Sequence, residues 1–187
     1  MKNETWLKLA TSKKREDLKD LISYNIGTVA TDGHRLHFLK SENLAKGQES
    51  ETLPGLVDGL VGSFETCRDI KLIIDKDSLK WHKIIKHFDN GTAIFLNIKN
   101  GEIWIERECR GSKKDYYGYD ASLELKVYIG TCEDLTLDYC KSFSLSALHD
   151  AIKANKSNSI NIRLNERITP LYLSYDDKIA IVWDTRI

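Results

Sequence analysis

A repeat constrains this chain more than any single residue does. Ser78 stands before Trp81, Ile84, Ile85 and Phe88, an apolar set spaced i, i+3, i+4 and i+7 as one helix face requires, and Asp89-Asn90-Gly91 ends the run. Ser144 stands 66 residues further on, before Leu145, Leu148 and Ile152, and Ile94 and Ile160, in the strand-like segments that follow, are also 66 apart. A capped helix and the strand after it therefore recur with the same internal spacing. Residues from about 60 to 187 read as two copies of a strand, helix, strand, strand unit. That pattern predicts an α+β fold of antiparallel sheets with the helices on one face.

Alternation and turn chemistry place the strands. In the first copy they fall at 70–75, 92–98 and 102–107, the last two joined by Lys99-Asn100-Gly101, since Asn-Gly suits the positive φ of a tight hairpin. Residues 122–130 alternate, with Leu123, Leu125, Val127 and Ile129 on one face, and 134–140 is expected to continue as strand. The second copy places strands at 159–164, 169–175 and 178–183, with Asp176-Asp177 turning the last pair. Ahead of the repeat, 6–10 reads as a strand, 12–24 as a helix with Leu18, Leu21 and Ile22 on one side, and 27–40 as a hairpin. The polar stretch 41–52 is the best linker candidate, which divides the chain into 1–57 and 58–187.

Lys plus Arg equals Asp plus Glu at 28 each, so no net field draws the protein to nucleic acid or membrane, and any DNA contact needs a local basic face. No apolar run approaches the roughly 20 residues that span a bilayer. The first residues lack the apolar core of a secretory signal, and Cys67, Cys109, Cys132 and Cys140 form no C-x-x-C pair. Both observations point to a reducing cytoplasm, with the cysteines as small apolar side chains.

Val29 and Ala30 run into Thr31-Asp32-Gly33-His34-Arg35 before Leu36 resumes a strand. Asp-Gly is a hairpin signal, and the turn sets Thr31, His34 and Arg35 at one edge of a sheet. Ala30 to Leu36 resembles a motif of the bacterial DNA sliding clamp, the beta subunit of DNA polymerase III and the processivity factor of replication. Ile181-Val182-Trp183-Asp184-Thr185-Arg186-Ile187 is similar to that family's ending, an apolar strand closing in Met-Pro-Met-Arg-Leu. Residues 6–40 resemble the first half of the clamp's middle domain and 58–187 its complete last domain.

The resemblance implies a DNA clamp-like fold and a noncatalytic, cofactor-free and metal-free cytoplasmic protein. It further implies binding of clamp-binding peptides from DNA polymerase or other replication and repair proteins, homo-oligomer formation, and encirclement of duplex DNA without sequence specificity. One wall of the implied peptide pocket comprises Leu18, Thr31, Gly33, His34, Arg35 and Leu36. The other comprises Ile70, Ile181, Val182, Trp183, Thr185, Arg186 and Ile187. An apolar floor rimmed by a few polar groups is how short peptides with one or two apolar anchors are held. Three positions depart from the family: Phe64-Glu65-Thr66 stands for Phe-Pro-Asp, Asp69 for a basic residue, and Trp183-Asp184-Thr185 for Met-Pro-Met.

In a clamp the helices face the DNA, which assigns Lys13, Lys14, Lys80, Lys83 and Lys86 to phosphate contacts. Outside that arrangement the same lysines form a solvated face, and Asp17 and Asp20 balance those near the amino terminus. A ringless, clamp-derived module that captures peptides as a regulator or competitor fits the same pocket. For catalysis there is no G-x-S-x-G, no phosphate-binding glycine loop and no H-E-x-x-H. A remaining enzyme reading is a metal-dependent hydrolase on Asp32, His34 and His37, although the two imidazoles point to opposite faces of a strand.

Overall fold

The structure, a computed structural model, describes residues 2–24, 27–40, 68–75, 80, 81, 83, 93–114, 120–153, 158–165, 168–175 and 177–185. The expected linker, the division at 57/58, residues 64–66, Lys86, Arg186, Ile187 and most of the helix after Ser78 lie outside them. Trp81 and Lys83 have helical backbone.

The chain opens with helix α1 (Asn3–Lys8) and a 3-10 turn (Glu16–Leu18), followed by strands β1 (Ile22–Tyr24), β2 (Gly27–Thr31) and β3 (Arg35–Lys40). Then come β4 (Arg68–Ile74), the helical residues around Trp81, β5 (Ala93–Lys99), β6 (Glu102–Lys114) and β7 (Asp120–Cys132). The last group is β8 (Tyr139–Ser144), α2 (Leu145–Lys153), β9 (Ser159–Asn165), β10 (Ile168–Tyr175) and β11 (Lys178–Val182). The described strands join in one sheet ordered β1-β2-β3-β11-β10-β9-β4-β7-β6-β5-β8, with every neighbouring pair antiparallel. A bridge between Phe143 and Asp184 ties the last strand back to the chain just beyond β11.

The repeat is present, with β5 and β9 in the predicted register, but each unit carries one more strand than expected. It runs strand, helix, strand, strand, strand: β4 to β7, then β8 to β11. The two units exchange their leading strands, β4 pairing with β9 and β8 with β5, as a pseudo-two-fold axis requires. The additional strand falls where 122–130 and 178–183 read as strand, and it is left outside the unit because 122–140 looks like one long alternating run. Asp134 divides it: its carboxylate accepts the backbone N–H of Thr136 at 3.0 Å and the Thr136 hydroxyl at 2.7 Å, an Asx turn that competes with sheet pairing. The expected strand at 134–140 is therefore a turn up to 138, and β8 begins at Tyr139.

At the amino terminus the two expected elements are corrected. Residues 6–10 belong to and follow helix α1, whose turn brings Trp6, Leu7 and Ala10 into one core, where a strand would set Leu7 opposite the other two. The helix expected over 12–24 is absent. The Ser12 hydroxyl oxygen accepts the N–H groups of Lys14 and Arg15, a local turn that diverts the chain, and Ile22 enters β1. Helix α1 with β1, β2 and β3 thus repeats the helix and three strands of the other units.

The main core lies on the helix side of the sheet. It gathers Trp6, Leu7, Ala10 and Ala30 from the first unit with Trp81, Ile94, Ile105, Leu148, Ile162 and Val182 from the others. A second cluster on the opposite face holds Val29, Leu36, Phe38, Tyr172, Ile179 and Ile181. β2 and β11 carry apolar residues into both, which is why all five positions of each are buried.

Candidate functional site

The hairpin tip between β2 and β3 is held by its own polar side chains. Gly33 sits at φ 89°, a conformation that glycine reaches without steric penalty. Asp32 Oδ1 accepts the backbone N–H groups of His34 and Arg35 at 2.9 and 3.0 Å. The Thr31 hydroxyl donates to the Arg35 carbonyl at 2.7 Å and accepts the Gly33 N–H at 3.1 Å. Arg35, half-buried, donates through Nε to Asp32 Oδ2 at 3.0 Å and through a terminal nitrogen to Asp150 Oδ2 on α2 at 2.8 Å. Burial opposes the charge on Asp150, yet contacts with His149 and Arg35 hold its carboxyl below the usual range.

The end of β11 lies directly against this hairpin. Ile181 pairs with Leu36 and Val182 with Arg35, and the Trp183 N–H donates to the His34 carbonyl at 3.1 Å. Beyond it Thr185 turns to β8, its N–H on the Ser142 carbonyl at 2.9 Å and its hydroxyl 2.7 Å from the Ser142 hydroxyl. Residues 183–185 are therefore anchored on both sides, by β3 and by β8. The Trp183 ring, half-buried, packs with Ile22 against the second cluster beside Leu36 and Ile181.

The predicted pocket residues divide between the two faces of the sheet. Leu36, Ile181 and Trp183 meet on the second-cluster face, with exposed Gly33 and His34 at the hairpin tip. Ile70 and Val182 point into the main core. Leu18 is buried, and Thr31 and Thr185 have their hydroxyls committed to hydrogen bonds. Asp150 and Ser142, which fix the geometry of Arg35 and Thr185, carry no sequence signal: each lies 115 or 43 residues from its partner.

Asp32, His34 and His37 do not converge. His34 is exposed at the tip, whereas His37 is fully buried, with Nδ1 2.9 Å from the Trp6 carbonyl and its ring stacked on Trp6 at 4.3 Å. Burial pushes the His37 pKa down to about 4. Trp6 in turn donates its indole N–H to the Asp150 carbonyl at 3.2 Å, and the Tyr175 hydroxyl donates to the Ala151 carbonyl at 2.5 Å, both in the last turn of α2.

Lys13, Lys14, Lys80 and Lys83 are exposed, but Lys13 and Lys14 lie on the turn before the 3-10 segment and not on a helix, since Ser12 ends helical geometry there. At the far end of β11 a cleft of about 190 Å³ is lined by Lys40, Asn161, Arg163, Ser174, Tyr175, Lys178 and Ile179. Two of its cations are already matched, Lys178 by Asp177 and Arg163 by Asp69.

Two units exchanging leading strands, with helices against one face and a hairpin beside the final strand, define the DNA sliding-clamp fold. Solved structures confirm that architecture. The chain superposes on the DNA polymerase III subunit beta of Borrelia burgdorferi with TM-score 0.60 at 12% identity, covering 100% of this chain and 62% of that one. For the subunit beta of Pseudomonas aeruginosa the values are 0.61, 14%, 97% and 62%. For the H. pylori beta clamp they are 0.65, 10%, 98% and 63%. The chain thus spans less than two thirds of each of these proteins. No protein-family model and no curated protein sequence matches it.

No described helix is long and apolar enough to cross a membrane.

Proposed function

We propose that this chain is a noncatalytic, cytoplasmic, clamp-like protein that captures a short apolar peptide of a replication or repair partner beside Trp183. The observation that carries the reading is the adjacency of the two expected walls: Leu36 and Ile181 pair across β3 and β11, and the Trp183 ring borders them at the hairpin tip. A half-buried aromatic beside branched aliphatic side chains, next to the exposed hairpin tip at Gly33 and His34, suits a peptide that brings an apolar anchor. Arg35 acts here as a strut for the hairpin through Asp32 and Asp150. The division at 57/58 separates the part that carries the hairpin from the part that carries the final strand.

Binding of a polymerase-type clamp-binding peptide, followed by fluorescence anisotropy, tests this. Trp183→Ala is expected to weaken binding roughly five- to thirtyfold with little change in stability, because a half-buried aromatic anchor at an interface contributes on the order of 1–2 kcal/mol. Replacing Arg186 or deleting Ile187 is expected to weaken it as well. Equal binding by the parent and Trp183→Ala sinks the assignment.

Encirclement of DNA is a second reading, favoured by the exposure of Lys80 and Lys83. Retention on circular but not linear duplex DNA is its test, since only a closed ring is held topologically.

A further inference from the structure

We propose that the cleft at the far end of β11 receives an acidic side chain of the captured peptide, about four residues from its apolar anchor. This rests on the peptide reading and adds to it a second, charged point of contact. The two points lie on one face of one strip of sheet. The Trp183 N–H donates to the His34 carbonyl at 3.1 Å, Ile181 then stands opposite Leu36 and Ile179 opposite Phe38, and the Lys40 N–H donates to the Asp177 carbonyl at 2.8 Å. Trp183, Ile181, Leu36, Ile179 and Phe38 all belong to the second cluster. From Trp183 to Ile179 the strand covers about 13 Å, four residues at roughly 3.3 Å each. An extended peptide spans the same distance with four residues of its own and returns a side chain to the same face at every second position.

Strand register builds the cleft where that strip meets β9 and β10. Asn161, Ser174 and Ile179 stand side by side in one row, Ser174 pairing with both neighbours, and Arg163 stands opposite Tyr172 in the next. These side chains face away from the main core, whose Ile160, Ile162 and Leu173 alternate with them. Lys40 and Lys178 complete the cationic part of the lining. At about 190 Å³ the space falls below the roughly 300–1,000 Å³ of pockets that engulf a small molecule, and it suits a single inserted side chain.

Charge selects which side chain. Three cations line the cleft against two carboxylates: Asp69, opposite Arg163 on β4, takes its guanidinium, and Asp177 takes the Lys178 ammonium at 2.8 Å. Lys40 adds a charge that neither carboxylate offsets, so among the described residues three cations less two anions leave one net positive charge. A single carboxylate balances it, and accepts hydrogen bonds from the ammonium, amide and hydroxyl donors that Lys40, Asn161 and Ser174 carry. Lys178 is only 8% exposed, and charge-assisted contacts in such poorly hydrated surroundings outweigh those at an open surface.

Fluorescence anisotropy on the full chain, with labelled clamp-binding peptides of the polymerase type, tests the proposal. Each peptide carries Glu or Gln at one position, about three, four or five residues before or after the apolar anchor. Glu at the four-residue offset, on one side of the anchor, is expected to bind roughly five- to tenfold tighter than Gln there, as a charge-assisted contact at a half-exposed site allows. At the odd offsets Glu is expected to gain nothing, because its side chain then points away from the sheet. Lys40→Glu is expected to remove the preference, with circular dichroism checking the fold of that variant. Equal binding of the Glu and Gln peptides at the four-residue offset, while Trp183→Ala still weakens both, overturns this proposal and leaves the anchor in place. So does a preference that is the same at every offset, or one that survives Lys40→Glu. Failure of every peptide to bind overturns the peptide reading and the acidic contact together.

Discussion

Arg35 shows what a half-buried cation does when two carboxylates flank it. Its guanidinium bridges Asp32 in the hairpin and Asp150 on α2, with side-chain exposures of 14%, 22% and 15% for the three. Removing it strands two partly desolvated anions, so Arg35→Met is expected to lower stability by about 2 kcal/mol, read from the urea midpoint. His37 makes a prediction in pH. Its folded-state pKa of about 4 lies below the ordinary 6.5, so between those values the unfolded chain binds a proton that the folded one refuses. Stability is therefore lost as pH falls from about 6.5 to about 4, by roughly 3 kcal/mol in all. The depressed carboxyl of Asp150 adds its loss lower, as pH falls through its own pKa below the ordinary 3.8. His37→Asn, which removes the titrating ring, is expected to flatten the midpoint between pH 6.5 and 4; an unchanged slope refutes the assignment.

At the scale of elements, glycines mark where strands approach most closely. A Cβ at Gly130 would stand 2.0 Å from the Ile73 carbonyl oxygen, a backbone atom of the adjoining strand that cannot move alone. At Gly33 the nearest heavy atom to a Cβ is an Arg15 side-chain nitrogen at 3.7 Å, so only the positive φ opposes substitution. Gly33→Ala is expected to cost about 1 kcal/mol and Gly130→Ala well over twice that, compared by thermal unfolding. Much at this scale was legible beforehand. The hairpin from Gly27 to Lys40, the Asn100-Gly101 turn, α2 and the 66-residue register of β5 and β9 all follow from local chemistry. The amino-terminal elements did not, because Trp6, Leu7 and Ala10 fit either period over so short a run, and only the packing of Trp6 under β3 decides between them. Nor did alternation reveal that β11 is buried on both faces. The candidate site was half legible: its hairpin and final strand were, whereas the division of its residues between two faces depends on the register of Ile181 with Leu36.

For the whole molecule, the continuity of the sheet through β3 and β11 is decisive. The first unit supplies Trp6, Leu7, Ala10 and Ala30 to the same core as the helices and strands that follow. Unfolding is therefore expected as one transition, with coincident urea curves from far-ultraviolet circular dichroism and tryptophan fluorescence; separate midpoints would show that the first unit melts alone. A related consequence lies in the last turn of α2. The Asp150 and Ala151 carbonyls there accept hydrogen bonds from Trp6 of the first unit and Tyr175 of β10. One indole thus closes the seam between the start of the chain and its last repeat, and the share of tryptophan emission that Trp6→Phe removes, against the other three indoles, gauges without any attached dye whether the first unit is seated.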